Sequence, residues 1–78
     1  MPTIYREGNF RFFFNSREET RRHIHINSPD GTAKFWLEPF IELADYYGMD
    51  ERSLGKIEKI VIEKQEAFIH AWDEHFKL

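Results

Sequence analysis

The apolar residues of this chain change period near Gly48, and that change constrains its fold more than any other feature. Before it, hydrophobic and polar residues alternate at a two-residue step; after it, apolar residues recur every three or four positions. The first spacing belongs to strands with one buried face, the second to amphipathic helix. Strands gathered first and helix gathered last define an α+β chain rather than an alternating α/β one. Its 78 residues leave room for a single domain. The sheet is expected over roughly residues 3–46 and the helical part over roughly 50–77.

Within the first part, Thr3-Ile-Tyr-Arg6 and Phe10-Arg-Phe-Phe-Phe-Asn15 flank a Gly-containing connection, which is a hairpin signal. Ser16 to Arg21 reads as a polar loop. Arg22-His-Ile-His-Ile-Asn27 alternates cleanly, Ser28-Pro-Asp-Gly31 is a turn, and Thr32-Ala-Lys-Phe-Trp-Leu-Glu38 returns as a strand until Pro39. Residues 40–47 are read as a fifth strand. Four to five antiparallel strands result, packed on one face by the C-terminal helix. Asp50 is placed to cap that helix, with Glu51 in its first turn. Leu54, Ile57, Ile60, Val61, Phe68, Trp72 and Phe76 form its apolar stripe, and the gap at Lys64-Gln65 predicts a kink or two successive helices.

A chain this short needs large core side chains or self-association to be stable. Eight Phe, three Tyr and two Trp supply the first. No cysteine is present, which excludes disulfides, thiolate metal sites and cysteine nucleophiles, and fits a reducing compartment. No stretch resembles a signal peptide or reaches the length of a membrane span, so a cytoplasmic protein without a membrane partner is expected. Charge is unevenly shared. Residues 1–37 hold six basic and four acidic side chains, a net of +2, whereas residues 38–78 hold five and ten, a net of −5. This gives the first half an affinity for anionic partners, with no signal for DNA in particular.

Strand alternation sends His23 and His25 to one face, two residues apart, where both can act near neutral pH as acid or base, or ligate one metal ion. A third ligand has no assigned place in the sequence, so no metal site is assigned. The same alternation sets Tyr5, Arg11, Phe13, His23, His25, Lys34 and Trp36 opposite the Phe10, Phe12 and Phe14 core, with Arg21 and Arg22 alongside. Aromatic, basic and imidazole groups together suit a protein interface, since exposed aromatics and Arg concentrate there. They also suit RNA, which stacks its bases and needs its phosphates neutralised. No phosphate-cradling Gly loop, nucleophile elbow or HExxH helix occurs, and no cofactor is expected.

Met1-Pro-Thr-Ile4, Phe10-Arg-Phe-Phe-Phe14, His23-Ile-His25, Ala33-Lys-Phe35 and Ala71-Trp72 give the chain a further likeness. Taken together, over nearly the whole length, they resemble the domain-of-unknown-function 4160 family of small bacterial and archaeal proteins. Where that family has prolines before its His-x-His, this chain has Arg21-Arg22. The resemblance implies no assigned reaction. It does imply a neighbouring gene for another small domain, an arrangement that points to a toxin–antitoxin component, and it marks His23 and His25 as site residues.

Three functions fit these observations, and whether the chain is an enzyme stays open among them. The first is an interaction domain that binds a small protein partner encoded nearby, or its own copy. The second is an RNA-directed nuclease with His23 or His25 as acid–base group and Arg21, Arg22 or Lys34 on phosphate. The third is a metal-binding domain through the two histidines. The lack of a complete catalytic set favours the first.

Overall fold

In the computed structural model, which describes residues 3–15 and 21–76, five strands precede two helices. The strands are β1 (Thr3–Glu7), β2 (Phe10–Phe13), β3 (His23–Asn27), β4 (Thr32–Trp36) and β5 (Glu42–Tyr47). They pair in sequence order, every neighbour antiparallel, as an open meander. Most of the expected Ser16–Arg21 loop lies outside the described residues, as does residue 77.

Turn chemistry sets each register. Gly8, at a positive φ of 59°, allows the tight β1–β2 turn. Ser28 N–H bonds Gly31 O at 2.9 Å across the β3–β4 turn, while the Ser28 hydroxyl accepts from Asp30 N–H at 3.2 Å. Residues 40–47 do contain a strand, and its pairing with β4 carries a bulge: Lys34 faces Asp45 and Phe35 faces Leu43, leaving Ala44 as the extra residue.

One face of the sheet carries Phe12, Phe14, Ile24, Ile26, Ala33, Phe35 and Leu37, and both helices lie on it. Helix α1 (Glu51–Glu63) contributes Ile57, Ile60 and Val61, and helix α2 (Gln65–Phe76) contributes Phe68 and Trp72. The predicted break falls at Lys64, between the two helices. Its neighbours show why. Gln65 Nε2 donates to Leu37 O at 2.9 Å, and the Lys64 ammonium lies 4.6 Å from the centre of the Tyr5 ring. The two residues of the junction are thus tied to different strands, Gln65 to the residue after β4 and Lys64 to β1, which a continuous helix would not satisfy at both.

Tyr5 corrects one expectation. It was placed on the outer face, yet its ring packs against Phe12 and Phe68 at 5.6 and 6.3 Å. The cause is the two-residue turn between β1 and β2: Glu7 faces Phe10, Arg6 faces Arg11 and Tyr5 faces Phe12, so Tyr5 shares the inner face. A bulge further along, between Thr3 and Tyr5, then puts Thr3 on the outer face opposite Phe13.

Asp50 caps α1 as expected: its carboxylate accepts Ser53 N–H at 2.8 Å. The Ser53 backbone bond, then the Ser53 hydroxyl, hold the Asp50 carboxyl below its ordinary pKa. A depressed folded-state pKa stabilises the fold above the unfolded-state value, and that contribution disappears as pH falls through the folded-state value. Asp50→Ala should therefore lower the melting temperature near neutral pH. The gap to wild type should close in strong acid. A gap that stays constant with pH would show that the cap owes nothing to ionisation.

Candidate functional site

The outer face of the sheet carries neither helix except at the start of β3, where Trp72 of α2 reaches His23. Cross-strand pairing brings its side chains into rows, because residues directly opposite one another point the same way. One row runs Thr3, Phe13, His25, Lys34 and Asp45; the next runs Arg6, Arg11, Asn27, Thr32 and Tyr47.

The rows interlock through rings and cations. The Arg11 guanidinium lies 4.6 Å from the centre of the Phe13 ring, while Arg11 Nε donates to the Thr3 hydroxyl at 2.7 Å. Phe13 stacks on His25 at 5.5 Å and an interplanar angle of 25°. Asn15 Nδ2 lies 3.1 Å from His25 Nε2. Further along, Trp36 receives two cations on its ring, Arg21 at 4.2 Å and Lys34 at 4.5 Å. Arg21 is held in turn by Glu38 O at 2.9 Å and by the Glu42 carboxylate at 3.5 Å. A small hollow of about 110 Å³ opens beside His25, Lys34 and Asp45.

Six of the expected site residues are thus assembled: Arg11, Phe13, Arg21, His25, Lys34 and Trp36. The other two are used elsewhere. His23, expected beside His25 in water, is fully buried. Its ring packs on Trp72 at 4.9 Å, Trp36 at 5.4 Å and His25 at 5.1 Å, and its Nδ1 donates to Arg21 O at 2.7 Å. Alternation does assign it to the outer side, but His23 is the first residue of β3, and α2 reaches that end of the sheet. A ring enclosed there cannot meet a substrate as acid or base. Arg22 explains how the helix end is held. It bonds Asp73 of α2 at 2.7 Å and both Glu38 carboxylate oxygens at 3.1 and 3.2 Å. Chiefly the Asp73 bond raises the Arg22 pKa above its ordinary value. The guanidinium that was assigned to a phosphate binds two carboxylates of its own chain.

The structure adds Arg6, Asn15, Asp45 and Tyr47 to the outer side. Arg6 faces outward because the two-residue turn sets it opposite Arg11, and Asp45 and Tyr47 lie past the β5 bulge. Asn15 follows the end of β2, where strand periodicity carries no information. As to metal chemistry, no cluster of three His, Asp or Glu side chains among the described residues is placed to hold an ion. Nor, among the described residues, is any helix long and apolar enough to cross a membrane.

A five-stranded meander with one helical face and one open cationic–aromatic face defines a small single-platform α+β protein. The chain belongs to the family described as Domain of unknown function (DUF4160), whose model matches residues 9–73. No curated protein and no solved structure matches it.

Proposed function

We propose that this protein is an interaction module that docks a small acidic protein on the outer face of its sheet, as one component of a toxin–antitoxin pair. The observation that carries this reading is the row Phe13–His25–Lys34 with the Arg11 guanidinium on the Phe13 ring, continued by Trp36 and Arg21. Aromatic and Arg side chains already held in place by their neighbours lose little freedom on binding, the property of interface hot spots. Arg6, Arg11, Arg21 and Lys34 outnumber Glu42 and Asp45 on this side, which sets the sign of the partner. The histidines serve here as platform: His25 supports Phe13 and His23 seats Trp36.

Co-expression with the protein encoded beside it, followed by light scattering, tests the proposal. A stable complex is expected. Trp36→Ala and Lys34→Glu should each weaken it about 10- to 100-fold, the range of a hot-spot truncation. A chain that elutes alone overturns the reading, as does a complex indifferent to both substitutions. Tight, salt-sensitive binding of a single-stranded RNA oligomer to this face, with no protein complex, would transfer the face to RNA.

A further inference from the structure

A meander has two edge strands, and the two edges of this sheet are finished differently. On β1 the inward Tyr5 is packed between Phe12 and Phe68 with Lys64 over it, and the outward Arg6 sits beside Arg11. Cover and like charge keep such an edge single. On β5 all six residues are exposed. Its inward side chains, Leu43 and Tyr46, are 39% and 53% exposed on the face that the helices cover elsewhere. The strand has no Lys, no Pro and no inward charge, the usual devices against pairing.

We propose that β5 pairs with β5 of a second copy, antiparallel, about a two-fold axis between Ala44 and Asp45, to give one ten-stranded sheet. The bulge is what selects this register. With Ala44 as the extra residue, Leu43 and Tyr46 point inward and Glu42, Asp45 and Tyr47 outward. Setting Leu43 against Tyr46 of the second copy, and Glu42 against Tyr47, keeps each of these pairs on matching faces, and the Tyr46 N–H, held by the Asp45 carboxylate at 2.9 Å, turns to the second copy. A slip of one residue either way sets inward against outward side chains.

Charge agrees with the register. Each Glu42 meets a tyrosine, and is already paired with Arg21 of its own chain. The two Asp45 come nearest one another, each with Lys34 as its cross-strand neighbour on β4. Area sets the strength. Tyr46 and Tyr47 are 53% and 79% exposed. At about 200 Å² for an aromatic side chain, they offer about 260 Å² per copy. Doubled, and with Leu43 and the strand backbone added, the contact stays below the ~1,600 Å² of a standard interface, so the pairing is weak and concentration-dependent.

This inference does not depend on the outer-face reading. Light scattering of the full chain should give the mass of two copies, where one copy is 9.5 kDa. Tyr46→Lys, and Leu43→Lys with it, should reduce that to one copy with an unchanged circular dichroism spectrum. Because the chain has no cysteine, register can be read directly. Leu43→Cys mixed with Tyr46→Cys should cross-link, and neither alone should. A single-copy mass at millimolar concentration overturns the proposal. So does a dimer that survives Tyr46→Lys in folded form, or one that cross-links through a single variant. Should the lysine variants lose their spectrum, the cysteine pair decides alone. Trp36→Ala should leave the two-copy mass intact, which separates failure here from failure of the partner proposal.

Discussion

Trp72→Ala is expected to leave most of the chain unfolded at room temperature. The indole is 2% exposed and sits where three parts of the molecule meet. Phe14 from the end of β2 lies 5.3 Å away, His23 from the start of β3 at 4.9 Å, and Phe76 from the last turn of α2 at 4.3 Å. Removing a buried Trp costs about 3–5 kcal/mol, through lost transfer energy and the cavity left behind. A domain of this size holds little more than about 3–5 kcal/mol in total. The two magnitudes nearly cancel. Urea denaturation should place the midpoint of the variant close to zero denaturant, while Trp72→Phe should keep a cooperative transition. A variant that retains most of the wild-type midpoint would show that α2 does not hold the end of the sheet.

Gly31→Ala should be the most disruptive change at any exposed or half-buried turn position. A Cβ on Gly31 would overlap the Tyr47 carbonyl oxygen and press on the Gly48 backbone. Those atoms belong to main chain, so no rotamer change relieves the overlap; the β3–β4 turn and the end of β5 must separate. Such overpacking costs about 1–3 kcal/mol, with more where the backbone cannot yield. Gly55 provides the internal control. It lies within α1 with open space where a Cβ would go, so Gly55→Ala should stabilise by about 0.5–1 kcal/mol. Opposite shifts in melting temperature are therefore expected from the same chemical change. Equal shifts would mean that the turn and β5 are not in contact.

The legible and illegible parts of this molecule divide along physical lines. Strand and helix positions could be read because each carries a repeating pattern over many residues, and even the break at Lys64 showed as a missing apolar position. What failed was local. Which residues form the β1–β2 turn decides the register of β1: with Gly8 and Asn9 alone in the turn, Tyr5 goes inward and Arg6 outward, the reverse of what a three-residue connection gives. Ala44 adds one residue to the β4–β5 ladder, and nothing in its side chain announces the bulge beyond which Asp45 and Tyr47 face outward. His23 failed for a different reason: alternation specifies a face, whereas burial at the end of a strand depends on what lies beyond it. Arg22 shared that fate, since the carboxylate of Asp73 is 51 positions away in the chain. Arg11, His25 and Lys34 sit inside strands, where the period is reliable, while Phe13 and Trp36 end theirs and Arg21 precedes β3.

Because the sheet is a meander, the outer and inner side chains of each strand are interleaved letters of one text. Arg11 lies between Phe10 and Phe12, and Lys34 between Ala33 and Phe35. The recognition face can therefore be rewritten, one alternate residue at a time, while the packing beneath is left as it stands. His23 and Trp36 are where that freedom stops. There one ring touches both the helical cap and the platform, so selection on either surface must also satisfy the other.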